Sequence, residues 1–362
     1  MWPDRRLLAL FKTEFPIVLA PMAGVMDTAL VIAAAQGGAL GSPPCAMLSV
    51  EKAREQVNII RQRISAPVNM NFFCHGGVEA DRSREAGWKA RLAPYYEEFG
   101  LDPAAPVTAA NRAPFDAAMC ELVEELKPEV VSFHFGLPDQ ALLRRVKAAG
   151  CVVISSATIV REAIWLEENG ADAIIAQGAE AGGHRGMFLT DNIAEQPGTF
   201  ALVPQLVDAV KVPVIAAGGI ADGRGMAAAF ALGAEGVQVG TRFMCATECT
   251  IHDDVKKKVV GAKDRDTVVT GYSTGHPVRV IKNRLSRQIE ELDRANQPEE
   301  VERLGSGKLA LAMREGDTNH GSLMAGQAAV LVVRVEPAAD IINEIVTEAE
   351  AVMAGLGSIV VR

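Results

Sequence analysis

The residues best suited to chemistry are two histidines, a glutamine and a set of glycines. The segment Gln177–Gly186 reads QGAEAGGHRG, so His184 follows a Gly–Gly pair shortly after a glutamine. Imidazole can give or take a proton near neutral pH. His134, in the stretch SFHFG, is a second candidate, although it could equally be buried at a strand tip. Two glycine-rich turns carry a different signal, AAGGIADGRG (Ala216–Gly225) and VGTRF (Val239–Phe243). Glycine lets the backbone approach an anion closely, and backbone N–H groups there can hold a phosphate. Arg185 and Arg242 could each meet an anion, though Arg185 reads as readily as a solvated charge. His75, His252, His276 and His320 lack comparable context and are read as structural or surface residues.

Three patterns are set aside. Gly223, Gly225 and Ala228 fit the G-x-G-x-x-A spacing of a dinucleotide fingerprint, but they stand late in the chain and inside a helix start. GSGK at Gly305–Lys308 lacks full P-loop spacing, and Cys245 and Cys249 make no zinc spacing. No metal is expected.

The elements that must position these groups follow from local patterning. Eight short apolar runs alternate with helical stretches: Ile17–Ala20, Ala39–Gly41, Val68–Phe72, Val130–Phe133, Val152–Ser155, Ala173–Ala176, Val214–Ala217 and Gly236–Val239, the second being the weakest. Eight strand-helix units predict a closed (β/α)8 TIM barrel, an α/β fold, in which the loops after the strands form one functional face. That face would collect APMAG (Ala20–Gly24), NMNFF (Asn69–Phe73), His134, Ser155 and Ser156, Gln177 with His184, and the two glycine turns. The turns after the seventh and eighth runs are where barrels often bind phosphate. The charged, proline-bearing segment at about 74–114 reads as an insertion after the third strand. Beyond residue 243 the alternation stops, and helices are expected over 253–264, 278–295, 298–315 and 337–354. The chain is therefore divided into a barrel, 1–242, and a C-terminal helical appendage, 243–362.

Composition bounds the function. Of 362 residues, 49% are hydrophobic and 22% charged, enough for a large core. The net charge of −9 leaves no broad cationic surface for nucleic acid or an anionic membrane, so a small-molecule partner is expected. Six dispersed cysteines suggest reduced thiols and a cytoplasmic protein. The N-terminus has too short an apolar stretch for an export signal. The uncharged run Thr28–Val50 is broken by Gly37, Gly38, Gly41, Pro43 and Pro44, which argues against a membrane span. The apolar positions Ile281, Leu285 and Ile289 could cover the barrel or a partner, and the reading leans to a homodimer.

Taken together, APMAG, NMNFF, SFHFG, QGAEAGGHRG, AAGGIADGRG and VGTRF resemble the nitronate monooxygenase family, formerly the 2-nitropropane dioxygenases. SLMAGQAAVLV (Ser322–Val332) resembles that family's C-terminal segment returning to the flavin. The resemblance implies FMN. Ala20, Pro21, Met22, Ala23, Gly24, Asn71, Gln177, Gly182 and Gly183 would line its ring and ribityl chain. Gly218, Gly219, Gly240 and Thr241 would hold its phosphate, with Gln327 nearby. His184 would be the base, or the donor to an anionic nitronate, with His134 assisting. The implied reaction oxidises an alkyl nitronate, and O2 then yields a carbonyl compound and nitrite.

Two alternatives stand beside it. Thr274–Leu292, Leu304–Asp317 and GSLMAGQ also resemble the flavin-dependent enoyl-acyl carrier protein reductases. That likeness implies FMN with NAD(P)H, acting on an enoyl thioester or a quinone. The glycine turns alone would also fit a flavin-free phosphate-binding isomerase or lyase.

Overall fold

The computed structural model describes residues 2–76, 93, 96–98, 100, 102, 113–270, 276–284, 286–287, 318–319 and 323–359. Most of the expected insertion at 74–114, the helix expected over 298–315, His320, Leu285, Ile289 and the GSGK segment lie outside these residues.

Seven parallel strands form one curled sheet: β1 (Ile17–Leu19), β2 (Asn69–Phe73), β3 (Val130–His134), β4 (Val152–Ala157), β5 (Ala173–Gln177), β7 (Val214–Ala217) and β8 (Gly236–Val239). Their order is β1-β8-β7-β5-β4-β3-β2. The gap between β2 and β1 is bridged by the weakest of the eight runs. Leu40 bridges Val18, while Gly41 bridges Val68 and Pro44 bridges Asn71, all in parallel, so the ring closes through isolated bridges rather than a full strand. The helices expected near 28–36, 49–62, 116–126, 139–149, 158–169, 201–210 and 222–232 are found within a few residues of those bounds. Several start on an acidic cap: Asp27, Asp116, Asp139 and Asp222 each accept a hydrogen bond from a first-turn N–H.

Inside the ring, Val18, Leu40, Val130, Ile154, Ala173, Ile175, Ile215 and Ala217 form one apolar cluster with Leu7 and Phe11. The last two belong to the helix Arg6–Phe11, which covers the N-terminal end of the barrel. Apolar filling stops toward the other end. There, by the two-residue alternation of strand side chains, the inward positions are Asn71 and Phe73 on β2, Ser132 and His134 on β3, Ser156 on β4 and Gln177 on β5.

The C-terminal part is only partly helical. Helices occur at Asp253–Val260 and Ala338–Ile359. Val278–Ile281, expected as the start of a helix, is instead strand β10, paired with β9 (Thr267–Thr270) on one side and with β6 (Gly183–His184) on the other. The sequence VRVI is rich in β-branched residues, which favour a half-covered sheet over a helix turn. Ile341, Ile342, Ile345, Val346 and Ala349 on the last helix are buried in the same cluster as Leu30, Met226 and Phe230, so this helix belongs to the barrel's outer layer. Among the described residues, no helix is long and apolar enough to cross a membrane.

Candidate active site

His184 does not sit on a free loop. It is one of the two residues of β6, with its Cα opposite Val278 and Gly183 opposite Arg279. The next residue continues the register, Arg185 N–H donating to Pro277 O at 2.8 Å. From below, the Gln177 side chain holds the same segment, Nε2 donating to His184 O at 2.9 Å and Oε1 accepting from Gly186 N–H at 2.7 Å. The side chain of Gln177, expected to line the flavin, thus also holds its own loop.

Around His184 stand two aromatic rings, Phe73 and Phe135, with centroids 5.7 and 5.8 Å away. Phe135 is also in contact with His134, His75 and His276, at 4.5, 5.7 and 4.9 Å. Four of the six histidines therefore gather at one mouth. His75 and His276 were read as structural or surface residues, and their placement corrects that. His252, by contrast, caps the helix Asp253–Val260.

His134 stands at the tip of β3. Its Nδ1 is 2.6 Å from Ser156 Oγ. Burial pushes its imidazole down to about 4; a hydrogen bond to the His184 backbone opposes that, while Arg185, His276 and His75 add to it. At neutral pH it is an uncharged ring that supports the His184 segment. The turn that follows is strained: Phe135 has a φ of 67° and Gly136 a φ of 91°. A bulky residue in the left-handed region needs enforcement by its surroundings. The buried Ser155 hydroxyl provides it, contacting Phe133 O at 3.1 Å and Gly136 O at 2.8 Å.

The glycine turns close the other side of the mouth. Gly218 and Gly219, with φ of 106° and 75°, follow β7. Gly240 and Thr241 follow β8, where a Cβ on Gly240 would lie 3.3 Å from Ala20 Cβ, so the Ala20–Gly24 loop is adjacent. Among the described residues, the N–H groups of Gly218, Gly219, Gly240 and Thr241 donate to no protein acceptor. Four such donors on neighbouring turns fit an oxyanion group such as a flavin phosphate. Gly223 and Gly225 point elsewhere, their N–H groups donating to Glu348 and to Asp222.

The segment after Leu323 returns to this face. Gly326 N–H donates to Thr241 Oγ1 at 2.9 Å, and Gln327 N–H to Glu180 O at 2.9 Å. A Cβ on Gly182 would come within 2.4 Å of Gly326 N, so the two backbones meet only because both residues are glycine. Glu180, which sequence reasoning did not single out, ties the face together: its carboxylate accepts from Thr199 N–H, and the one proton of Thr199 Oγ1 lies between that carboxylate, at 2.8 Å, and Gly218 O, at 2.9 Å.

Other expectations are corrected. Arg185 is fully buried rather than solvated, donating to Gln196 Oε1 and to the carbonyls of Gln177 and Ala181. Arg242 is buried against Glu336 and Glu344. Neither cation is available to an anion at the mouth. Asn71 is buried and donates to Ser132 Oγ at 3.0 Å. Among the described residues, no group of three or more His, Cys, Asp or Glu side chains converges to hold a metal ion.

The family model for nitronate monooxygenase matches residues 4–348. A nitronate monooxygenase of Paraburkholderia phytofirmans is 39% identical over 348 residues, covering 95% of this chain and 94% of the relative. Among solved structures, a nitroalkane oxidase of Streptomyces ansochromogenes superimposes with a TM-score of 0.87 at 30% identity, covering 97% of this chain and 99% of the other. FabK of Thermotoga maritima follows at a TM-score of 0.78 and 34% identity, covering 98% of each chain. This α/β barrel thus belongs to the nitronate monooxygenase family and is a flavin-dependent oxidoreductase.

Proposed function

We propose that the chain oxidises alkyl nitronates with O2 to a carbonyl compound and nitrite, with FMN as its flavin. The observation that carries this reading is the placement of His184. It stands on a short strand held from both sides, with two aromatic rings against it, at the same barrel end as four N–H donors that meet no acceptor among the described residues. In this reading those donors, on Gly218, Gly219, Gly240 and Thr241, hold the FMN phosphate. The loops Ala20–Gly24 and Gly182–Gly183, with Gln327, lie along the rest of the cofactor.

The flavin, when bound, supplies the electron acceptor. The chain's part is to bind the anion, exclude water and present a donor. A hydrogen-bond donor fixed beside the charged nitro oxygens stabilises them more in a dry pocket than water would. Phe73 and Phe135 provide the dry walls, and His184 the donor or base. A cytoplasmic homodimer is the assembly this reading expects.

The test is steady-state turnover with propyl-2-nitronate, followed by nitrite release and O2 uptake, beside NADH consumption with an enoyl thioester or quinone. Nitrite release without NADH is expected. His184→Ala should lower kcat by roughly 10²–10⁴ while flavin content holds. NADH-driven reduction without nitrite release would replace this reading with the reductase one.

A further inference from the structure

We propose that His276 is a second substrate-contacting residue, forming with His184 a two-imidazole clamp on the anionic nitro group. The proposal rests on the nitronate reading for its substrate, but its binding step can be measured without turnover.

The fold delivers His276 to the site. It stands two residues before Val278, which is opposite His184 in the β10–β6 pair, and Pro277 between them accepts the Arg185 N–H. Strand pairing fixes register, so the two imidazoles are held at a set separation by backbone rather than by chance side-chain contact. Their ring centroids lie 6.4 Å apart with planes at 65°. At that separation a single oxygen can sit about 2.8 Å from a nitrogen of each ring. Phe135, 4.9 Å from His276 and 5.8 Å from His184, backs both rings. His276 is only half-buried, so its ring reaches the mouth rather than the core.

The surroundings favour an anion. The residues that lower the His134 imidazole electrostatically are Arg185, His276 and His75, all of basic type. Arg185 and Arg242 are engaged by protein acceptors, so neither is the donor proposed here. A nitronate has two oxygens sharing one charge, and a pair of donors on separate elements selects it over the neutral nitroalkane.

The experiment titrates the flavin-loaded enzyme with nitrite, an anion with two oxygens on nitrogen, and reads Kd by calorimetry and flavin difference absorbance. His276→Ala should raise Kd at least ~10-fold, the loss of a hydrogen bond to a charged group. His276→Gln, which keeps a donor, should recover most of that. Should the alanine variant not fold, His276→Phe fills the space without a donor and should show the same loss. With propyl-2-nitronate, His276→Ala should raise KM more than it lowers kcat, in contrast to His184→Ala. Unchanged nitrite affinity in the donor-free variants, no binding by the parent enzyme, or equal loss in the Gln and Ala variants overturns the clamp. Nitrite binding by a parent that releases no nitrite from nitronates would instead fault the oxidation reading and leave the clamp standing.

Discussion

The Gln177 side chain spans the peptide segment that carries His184, donating to His184 O at 2.9 Å and accepting from Gly186 N–H at 2.7 Å. One buried amide thereby fixes both ends of a three-residue stretch, complementing the β10 pairing on its other edge. Gln177→Ala takes one donor from the part-buried His184 O and leaves the buried Gly186 N–H without its side-chain acceptor, a cost of about 1–3 kcal/mol for that group. The larger effect is on geometry, since a displacement of about 1 Å at a reacting group can cost about 10²-fold. We expect Gln177→Ala to bind flavin normally, to unfold at lower urea, and to lose roughly 10²-fold in kcat on a nitronate. A kcat within twofold of the parent enzyme would mean that β10 alone positions His184.

His134 makes the stability of the protein sensitive to acid. Its folded imidazole is pushed down to about 4 by burial, against about 6.5 in an unfolded chain. Between those values the unfolded chain binds a proton that the folded chain refuses, so stability falls as the pH falls through this window. The slope is about 1.4 kcal/mol per pH unit. His134→Gln should remove it. Urea midpoints measured from pH 7 to pH 4.5 are expected to converge for the two proteins as the pH drops, the variant being less stable at pH 7 and losing less on acidification. Parallel curves would show that His134 titrates normally.

The barrel, and which residues stand at its strand ends, were legible in the sequence because both are local. A βα unit needs only a β-branched run, a capped helix and a glycine, and seven strands and their helices fall where such patterns stand. His184, Gln177 and the glycine turns are marked by composition at strand ends. The partners of those residues were not legible, because they depend on pairing between distant segments. Val278–Ile281 has a strand's composition, yet nothing local says that it pairs with Gly183–His184, and with that pairing went the placement of His276 and Pro277 beside that segment. Likewise, a positive charge at 185 or 242 gives no hint of burial. The return of Glu336, Glu344 and the Arg334 carbonyl explains Arg242, and Gln196 with two carbonyls explains Arg185.

The turn after β7 should be needed for flavin retention in a way that other glycine turns are not. Gly218 has a φ of 106°, and a Cβ there would lie 2.8 Å from Ala181 N. Gly150 has a φ of 89° with open space around it, at the end of the helix Gln140–Ala148 and before β4. Alanine at either site meets left-handed strain of about 1–2 kcal/mol. Only at Gly218 should it also displace the N–H donors of the turn. We therefore expect Gly218→Ala to be purified with little flavin and Gly150→Ala with a full complement, as read from the ratio of flavin to protein absorbance. Equal flavin content in both would remove the Gly218 turn from the cofactor site.

Phe135 reverses an ordinary ranking of substitutions. Its ring is buried among Phe73, His134 and His184, and truncating a buried aromatic costs about 3–5 kcal/mol. Its φ of 67° costs a side chain about 1–2 kcal/mol that glycine does not incur. The first effect is larger, so both Phe135→Gly and Phe135→Ala should be less stable than the parent. Between the two variants the cavity is nearly the same, and the backbone decides. Alanine usually exceeds glycine in stability because it restricts the unfolded chain, by about 0.4–1 kcal/mol. Here the left-handed turn, clamped by Ser155, should outweigh that and leave glycine the more stable by up to about 1 kcal/mol. Urea midpoints placing Phe135→Ala above Phe135→Gly would show that the turn relaxes out of the left-handed region once the ring is gone, and that the ring itself holds the strain in place.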